Sequence, residues 1–293
     1  MQKNFLSITD LSKDEILELL EVAATQRLRV ISEMLRHQHL ALYFEKPSLR
    51  TKASFETGIS ELGGSFSYFS AVDTGQLGER ESVEDLAKTM SEYFAAIVVR
   101  VYSHANLEKF AAVASVPVIN ALSDREHPCQ VLADLLTIRE KLGRLEGFKL
   151  AFLGDGNNVA LSLALAAEIL GFEFILAGPK DHHLKYDQIK QTEDIDAALQ
   201  NADVVYTDTW TSMGDEAEEA KRKKLFLPFQ LNAETLKKAE ANAIVMHCLP
   251  AHRGKEITDE VIDGEQSVVF QQAANRLPVQ KALLIKLFSK AMV

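Results

Sequence analysis

Cysteine is scarce in this chain of 293 residues: Cys129 and Cys248 are the two, far apart and with no C-x-x-C spacing. The pattern suggests neither a disulfide framework nor a structural zinc site, and leaves each thiol as a packing residue or a single functional group. Long apolar runs are missing as well: no stretch reaches the ~18 apolar residues that a membrane-spanning helix needs. The first residues, MQKNFLSITDLSKDE, have neither the apolar core of a secretory signal nor the Arg-rich, acid-poor character of a transit peptide, so the expected location is the cytoplasm. Positive charge is in deficit, with 32 Lys and Arg against 42 Asp and Glu and a formal net charge of −10. That balance repels nucleic-acid phosphate at long range and argues against a DNA or RNA partner. An anionic small molecule would have to be held by a local cluster working against the overall field. Repeats and low-complexity segments are not evident.

What the chain does have is enough apolar content, 47% of its residues, to build two domains with their own cores. Ser12 followed by Glu15 is a capping-box pattern, and Ile16, Leu19, Leu20 and Ala23 continue at helical spacing. HLALYFE reads as a short strand, and the residues from Thr51 to Leu62, with Phe55 and Ile59 on one face, read as a helix stopped by Gly63-Gly64. The alternation continues with a helix near 82–94, a strand at AAIVVRVY, a helix near 106–114, a strand at VPVIN and a longer helix from Pro128. After Gly143 it restarts with KLAFLGDGNN, an Ala- and Leu-rich helix and FEFILAGP. Further strands are expected at ADVVYTDTW, NAIVMHCLP and SVVFQ, before a last helix VQKALLIKLFSKAM. The charged run DEAEEAKRKK is expected to be a solvated loop or helix. Strand–helix alternation throughout implies an α/β fold with parallel sheets, whose ligands sit beyond the carboxyl ends of the strands. The domain boundary is expected near residue 143, with the terminal helix returning to the first domain.

Several chemistry-bearing stretches fall at those strand ends. FEKPSLRTKASFETG places Ser48, Arg50, Thr51 and Lys52 at the start of a helix, where unpaired N–H groups and the helix dipole favour an anion. Taken alone, the segment favours an ordinary Ser48 cap beside solvated cations. LSDREHPCQ crowds Ser123, Asp124, His127 and Gln130 into a strand-to-helix loop, and His127 is either a structural cap or a donor to a carbonyl or phosphate oxygen. Arg100 sits near the end of a strand that otherwise reads as buried, so it needs a partner, in the protein or in a ligand. FLGDGNN has Gly154 and Gly156 but Val159 where a third glycine would complete the dinucleotide fingerprint, which makes that signal weak. Asn157 and Asn158 either cap the next helix or present an amide to a substrate. In TDTWTSMGDE, Asp208 is a turn residue or a contact for a cationic substrate, and Ser212-Met213-Gly214 has the chemistry of a closing lid. MHCLPAHRG carries His247, Cys248 and His252; a metal would lack a third ligand of convincing spacing, and Cys248 is a functional thiol or an inert packing residue.

In order along nearly the whole chain, S-x-R-T, an Arg at a strand end, HPCQ, GDGNN, DTWTSMG, HCLPAHRG and NR before the last helix resemble the aspartate/ornithine transcarbamylase superfamily. SMG and HCLP resemble its ornithine carbamoyltransferase branch. The resemblance implies two doubly wound parallel-sheet domains with the active site in the cleft between them. The first, 1–143 joined by the C-terminal helix 277–293, would bind carbamoyl phosphate, and the second, 144–276, would bind ornithine. It further implies that Ser48, Leu49, Arg50 and Thr51 cradle the phosphate, with Arg100, His127, Pro128, Cys129, Gln130, Cys248, Leu249 and Arg276 around the rest of carbamoyl phosphate. Gln76, in TGQLGE, would enter a neighbouring subunit's site, which implies a homotrimer or a multiple of trimers. Asn158, Asp208, Ser212 and Met213 would bind ornithine, with Arg50, Arg100, His127, Asp208 and Cys248 carrying the catalysis. No metal or organic cofactor is implied; the products would be citrulline and phosphate. Two positions depart from many relatives: Leu49 replaces a Thr in the phosphate turn, and Ala274 a Glu near Arg276. Rival readings are a transcarbamylase for N-acylornithine, putrescine or aspartate, a non-catalytic family member, and a cysteine hydrolase built on Cys248.

Overall fold

In the computed structural model, which describes residues 4–26, 32–211 and 219–289, the first long helix is α1 (Lys13–Gln26). Its entry is the capping box the sequence indicates: Ser12 N–H donates to Glu15 Oε2 at 3.1 Å and Glu15 N–H to Ser12 Oγ at 3.2 Å. The chain then builds β1 (His39–Phe44), α2 (Leu49–Glu61), β2 (Ser65–Ser70), α3 (Ala71–Thr74), α4 (Val83–Tyr93), β3 (Ala96–Arg100), α5 (His104–Val113), β4 (Val118–Leu122) and α6 (Pro128–Leu142). The strands form a parallel sheet in the order β2-β1-β3-β4, with Phe44 beside Arg100 at the carboxyl ends of β1 and β3. The β3 strand is buried along its whole length, as expected for a strand covered on both faces. On the inner face of α2, burying Phe55 and Ile59 stabilises the fold by about 2 kcal/mol each.

A second parallel sheet, ordered β7-β6-β5-β8-β9, is built from β5 (Lys149–Leu153), α7 (Asn158–Leu170), β6 (Glu173–Ala177), β7 (Lys190–Thr192), α8 (Ile195–Leu199), β8 (Val204–Thr207), α9 (Glu219–Phe226), α10 (Ala233–Leu236), β9 (Ile244–His247) and α11 (Asp259–Ile262). The last helix is α12 (Val269–Ser289). The chain divides into two units, one running to Leu136 and resuming at Ala274, the other spanning Thr137–Ala273. In each, strand order reverses beside the first strand: between β1 and β3 in one unit, between β5 and β8 in the other. Such a reversal opens a crevice at the carboxyl ends, the usual ligand site of doubly wound sheets.

Two expectations are corrected. SVVFQ is not a strand: Ser267 makes one isolated bridge to Val245, and from Val269 the chain is already in α12, which carries Pro278 inside it. A short run of β-branched and aromatic residues has no period long enough to separate the first turn of a buried helix from a strand. The run DEAEEAKRKK is not wholly solvated either, because Arg222 on α9 is buried. The strand β2 escaped the sequence reading because SFSYFS is half-buried at a sheet edge and carries no Val or Ile.

The glycines of FLGDGNN serve close packing. A Cβ on Gly156 would lie 2.7 Å from both the His182 carbonyl oxygen and the Leu184 nitrogen, and one on Gly178 would lie 2.1 Å from the Gly154 oxygen. Gly154 itself sits at φ 130, a backbone conformation that L side chains rarely adopt, so crowding at Gly156 and backbone geometry at Gly154 explain the two glycines of this turn without a dinucleotide.

Candidate active site

In the first unit, the site residues gather at the ends of β1, β3 and β4. Ser48 is the N-cap of α2, and its Oγ accepts from Thr51 N–H at 3.3 Å. Capping and anion binding are compatible, since a cap satisfies one of the helix's first amides and leaves others facing outward. Arg50 is half-buried in the first turn, and its side chain has no hydrogen bond or ion pair among the described residues. A cation at the positive end of a helix is unfavourable on local grounds, so its place there suits an anion brought from outside. Leu49 is 80% exposed, so the missing hydroxyl lies on a side chain turned outward while its N–H still belongs to the turn.

Deeper in the unit, Arg276 reaches from α12 to the same place. Its guanidinium donates to Gln130 Oε1 at 2.6 Å and to Thr51 Oγ1 at 3.2 Å. Gln130 in turn donates from Nε2 to the fully buried Asp134 at 2.9 Å, one helical turn on, which fixes which end of the amide faces Arg276. Ala274 is exposed, and Arg276 is held by Gln130 and Thr51 rather than by a neighbouring acid at that position. Arg100 is buried as the last residue of β3, and His127 is buried just before α6. Burial, then Arg276 and Arg100, hold the His127 pKa well below its ordinary value. His127 is therefore a neutral imidazole, with one N–H to donate, set beside two guanidinium groups. The side chain of Cys129 turns into the core and donates to the Asn120 carbonyl at 3.3 Å; burial pushes its thiol up to about 12. Gln76 is exposed on the loop after α3.

In the second unit, the ends of β5, β8 and β9 converge on Asp208. Asn157 is the N-cap of α7, accepting from Val159 and Ala160 N–H, and its Nδ2 donates to Asp208 Oδ2 at 2.8 Å. Asp208 Oδ1 accepts from Thr209 N–H at 2.7 Å and from Cys248 Sγ at 3.0 Å. A buried carboxylate and a thiol thus stand side by side, with Asn158 half-buried at the first turn of α7. Behind Cys248, His247 accepts from Leu249 N–H at its Nδ1, so its Nε2 carries the proton and donates to buried Glu256 at 3.2 Å. Burial alone would raise the Glu256 pKa, but hydrogen bonds from His247 and from His252 N–H leave it lowered. Leu249 adopts φ 57, a left-handed conformation uncommon for a branched residue and frequent at functional turns.

Among the described residues, Asp208, His247 and Cys248 form the one group with metal-ligand atoms close together, within 4.8 Å. Both ring nitrogens of His247 are engaged internally, so two donors remain, short of the set a zinc site needs. Ser212 and Met213 lie outside the described residues. Close to them in sequence, Arg222 donates to the Trp210 carbonyl and to Asp155, whose other oxygen meets His182 Nδ1 at 3.2 Å. Burial outweighs Arg222 and His182 to raise the Asp155 pKa.

Sequence reading missed Asp134, Glu256, the Asp155–Arg222 pair and Glu45. Asp134 had a visible signal, an acid four residues from Gln130 inside the apolar run VLADLL. Glu256 lies in the ordinary charged stretch RGKE and had none.

Comparison with known proteins also divides the chain in two, although the second match runs on through the part of α12 that the structure groups with the first unit. A model described as the aspartate/ornithine carbamoyltransferase carbamoyl-P binding domain matches residues 3–140, and the Asp/Orn binding domain model matches 146–287. The chain is 48% identical to the ornithine carbamoyltransferase of Methanosarcina mazei, over 98% of this chain and 99% of that one. It is 45% identical to that of Anoxybacillus flavithermus, over 97% and 96%. Among solved structures, the ornithine carbamoyltransferase from Pyrococcus furiosus aligns with a TM-score of 0.92 at 43% identity over 96% of each chain. The one from Thermus thermophilus aligns at 0.91 and 41% identity, over 98% of this chain and 99% of that one.

Proposed function

The chain belongs to the aspartate/ornithine carbamoyltransferase family, and from that premise we propose that it transfers the carbamoyl group of carbamoyl phosphate to the side-chain amine of L-ornithine, giving L-citrulline and phosphate. The observation that carries this reading is the donor cluster of the first unit. Neutral His127 stands with Arg100, Arg276 and Gln130 near the N-terminus of α2, in a protein whose net charge is −10. Ser48, Arg50, Thr51 and the backbone N–H of Leu49 hold the phosphate, and the first turn of α6 at Pro128 and Cys129 contributes backbone. Arg100, His127, Gln130 and Arg276 face the carbamoyl and bridging oxygens. Donors set in advance at these oxygens stabilise the charge that builds on the carbonyl oxygen and on the departing phosphate.

The amine belongs to the second unit, where Asn158, Asp208, Ser212 and Met213 bind ornithine. Asp208, paired with Cys248, accepts hydrogen bonds from the amine and sets its orientation. The neutral nitrogen attacks the carbonyl carbon, the carbon–oxygen bond to phosphate breaks, and the proton released from the nitrogen is taken up by the departing phosphate. Cys248 serves as a hydrogen-bonding neighbour and forms no covalent intermediate. The reaction as written consumes no metal or organic cofactor. Gln76 acts in a neighbouring subunit's site, which makes a homotrimer the smallest complete assembly; its exposure supports that role. Two cysteines outside any disulfide support a reducing, cytoplasmic setting. The test is incubation with carbamoyl phosphate and a panel of amines. Citrulline from ornithine is expected. Turnover with N-acylornithine or putrescine and none with ornithine would move the protein to another member activity of the family.

A further inference from the structure

The short segment Gly75-Gln76-Leu77 is exposed at its centre and fastened on both sides. Tyr43 Oη donates to the Gly75 carbonyl at 2.7 Å, and burial, with Glu45 nearby, keeps the Tyr43 phenol protonated and a donor. Asn106 Nδ2 donates to the Leu77 carbonyl at 3.3 Å, and the Leu77 side chain is buried. The shortest tie is Leu77 N–H to Glu45 Oε1, at 2.6 Å. Glu45 follows β1 and is itself buried, and its second oxygen accepts from Tyr102 N–H at 2.7 Å. Its own N–H donates to the Arg100 carbonyl at 2.8 Å. Among the described residues this carboxylate has no ion pair. Both oxygens are used on backbone amides, one in the Gln76 loop and one just beyond the strand that carries Arg100.

Burying a carboxylate in this way is costly unless every lone pair it turns inward finds a donor. A neutral side chain of similar length does not repeat the arrangement: a Gln offers one oxygen to one amide and sets its NH2 against the other. Alternation of strand and helix would place a loop here without such a residue, so the carboxylate does something that topology does not require. We propose that Glu45 is a positioning residue that couples the Gln76 loop to the Arg100 strand end, and so fixes the point at which Gln76 projects beyond its own subunit. This rests on the reading of Gln76 given above.

The experiment is a double-mutant cycle on kcat/KM for carbamoyl phosphate, with thermal unfolding followed in parallel. Glu45→Gln is expected to lower kcat/KM by about 10-fold, mostly through KM; in a Gln76→Ala background the same change should cost less than about 2-fold, because the group through which it acts is gone. Equal losses in both backgrounds would show a purely structural role and overturn the proposal. So would a Glu45→Gln enzyme with wild-type kcat/KM. If Gln76→Ala alone leaves kcat/KM unchanged, the reading of Gln76 falls, and the role of Glu45 falls with it. Should Glu45→Gln not fold, Tyr43→Phe enters the cycle instead: it removes the hydroxyl that donates to Gly75 and meets Thr74 in the same loop, and the same dependence on Gln76 is expected.

Discussion

Removing the Arg50 guanidinium separates stability from activity. In Arg50→Ala no hydrogen bond or ion pair among the described residues is lost, because the side chain makes none. Residue 50 is in the first turn of α2, where a cation opposes the helix dipole by about 0.5 kcal/mol, and Ala is at least as good a helix former as Arg. The midpoint of thermal unfolding is therefore expected to stay within about 2 °C of wild type, or to rise. Activity goes the other way: loss of a donor aimed at developing phosphate charge costs about 3 kcal/mol, a fall in kcat/KM of about two orders of magnitude. Ligand linkage gives an independent readout. Carbamoyl phosphate at about 100 times its Kd adds about 2.7 kcal/mol to wild-type stability, and most of that increment should vanish in the variant. Differential scanning fluorimetry with and without carbamoyl phosphate, alongside the citrulline assay, measures all three quantities. A drop of several degrees without ligand, or near-normal kcat/KM, would refute the assignment of Arg50 to the phosphate rather than to the fold.

Three further outcomes are expected. His127 is held neutral with its pKa lowered, so between the ordinary value of 6.5 and its folded value the unfolded chain binds the extra proton. Stability from this group is present above pH 6.5 and declines as pH falls; unfolding midpoints from pH 7 down to 5 should drop less steeply in His127→Asn. Arg222→Ala leaves Asp155 with His182 as its remaining partner and should cost about 3 kcal/mol by denaturant unfolding. That penalty should be larger at pH 8 than at pH 5: the raised Asp155 pKa lets the native state keep a proton at low pH, and this contribution is lost as pH rises through the folded pKa. Cys248→Ala removes the thiol donor 3.0 Å from Asp208 and should lower kcat and raise the ornithine KM, together about 10-fold or more in kcat/KM. A Cys248→Ala enzyme with unchanged ornithine kinetics would detach the thiol from the amine site.

The elements that sequence pattern located well are those with one strong local cause. The capping box at Ser12, the glycine stop after Leu62 and the Pro at the start of α6 each act within a few residues, and each marks its helix in the structure. Errors came where the cause is tertiary. In SVVFQ, β-branched residues suggest a strand, but after one bridge to β9 the chain is drawn into the long final helix. Arg222 lies in the acidic and basic run of α9 and looks solvated, yet it is buried against Trp210 and Asp155, residues 12 and 67 positions away.

The site divides along the same line. Groups expected to touch a ligand could be named in advance because they recur in short motifs at strand ends, the place a parallel sheet exposes. The contacts that hold them in place could not, because the partners are distant in sequence: Arg276 meets Gln130 across 146 positions and Thr51 across 225. The same distance explains why FEKPSLRTKASFETG, read alone, looked like an ordinary cap. Ser48 is indeed the cap of α2, and Arg276 arrives beside that capped end, at Thr51, from the last helix with its guanidinium already fixed by Gln130 and, through it, by Asp134. Cation and helix terminus are brought together by the fold, so much of the local excess of positive charge in an acidic chain is a tertiary property, with a local signature at Arg50 and Lys52. The neutral state of His127 follows from the same convergence, since Arg276 and Arg100 add to its burial in opposing a third positive charge.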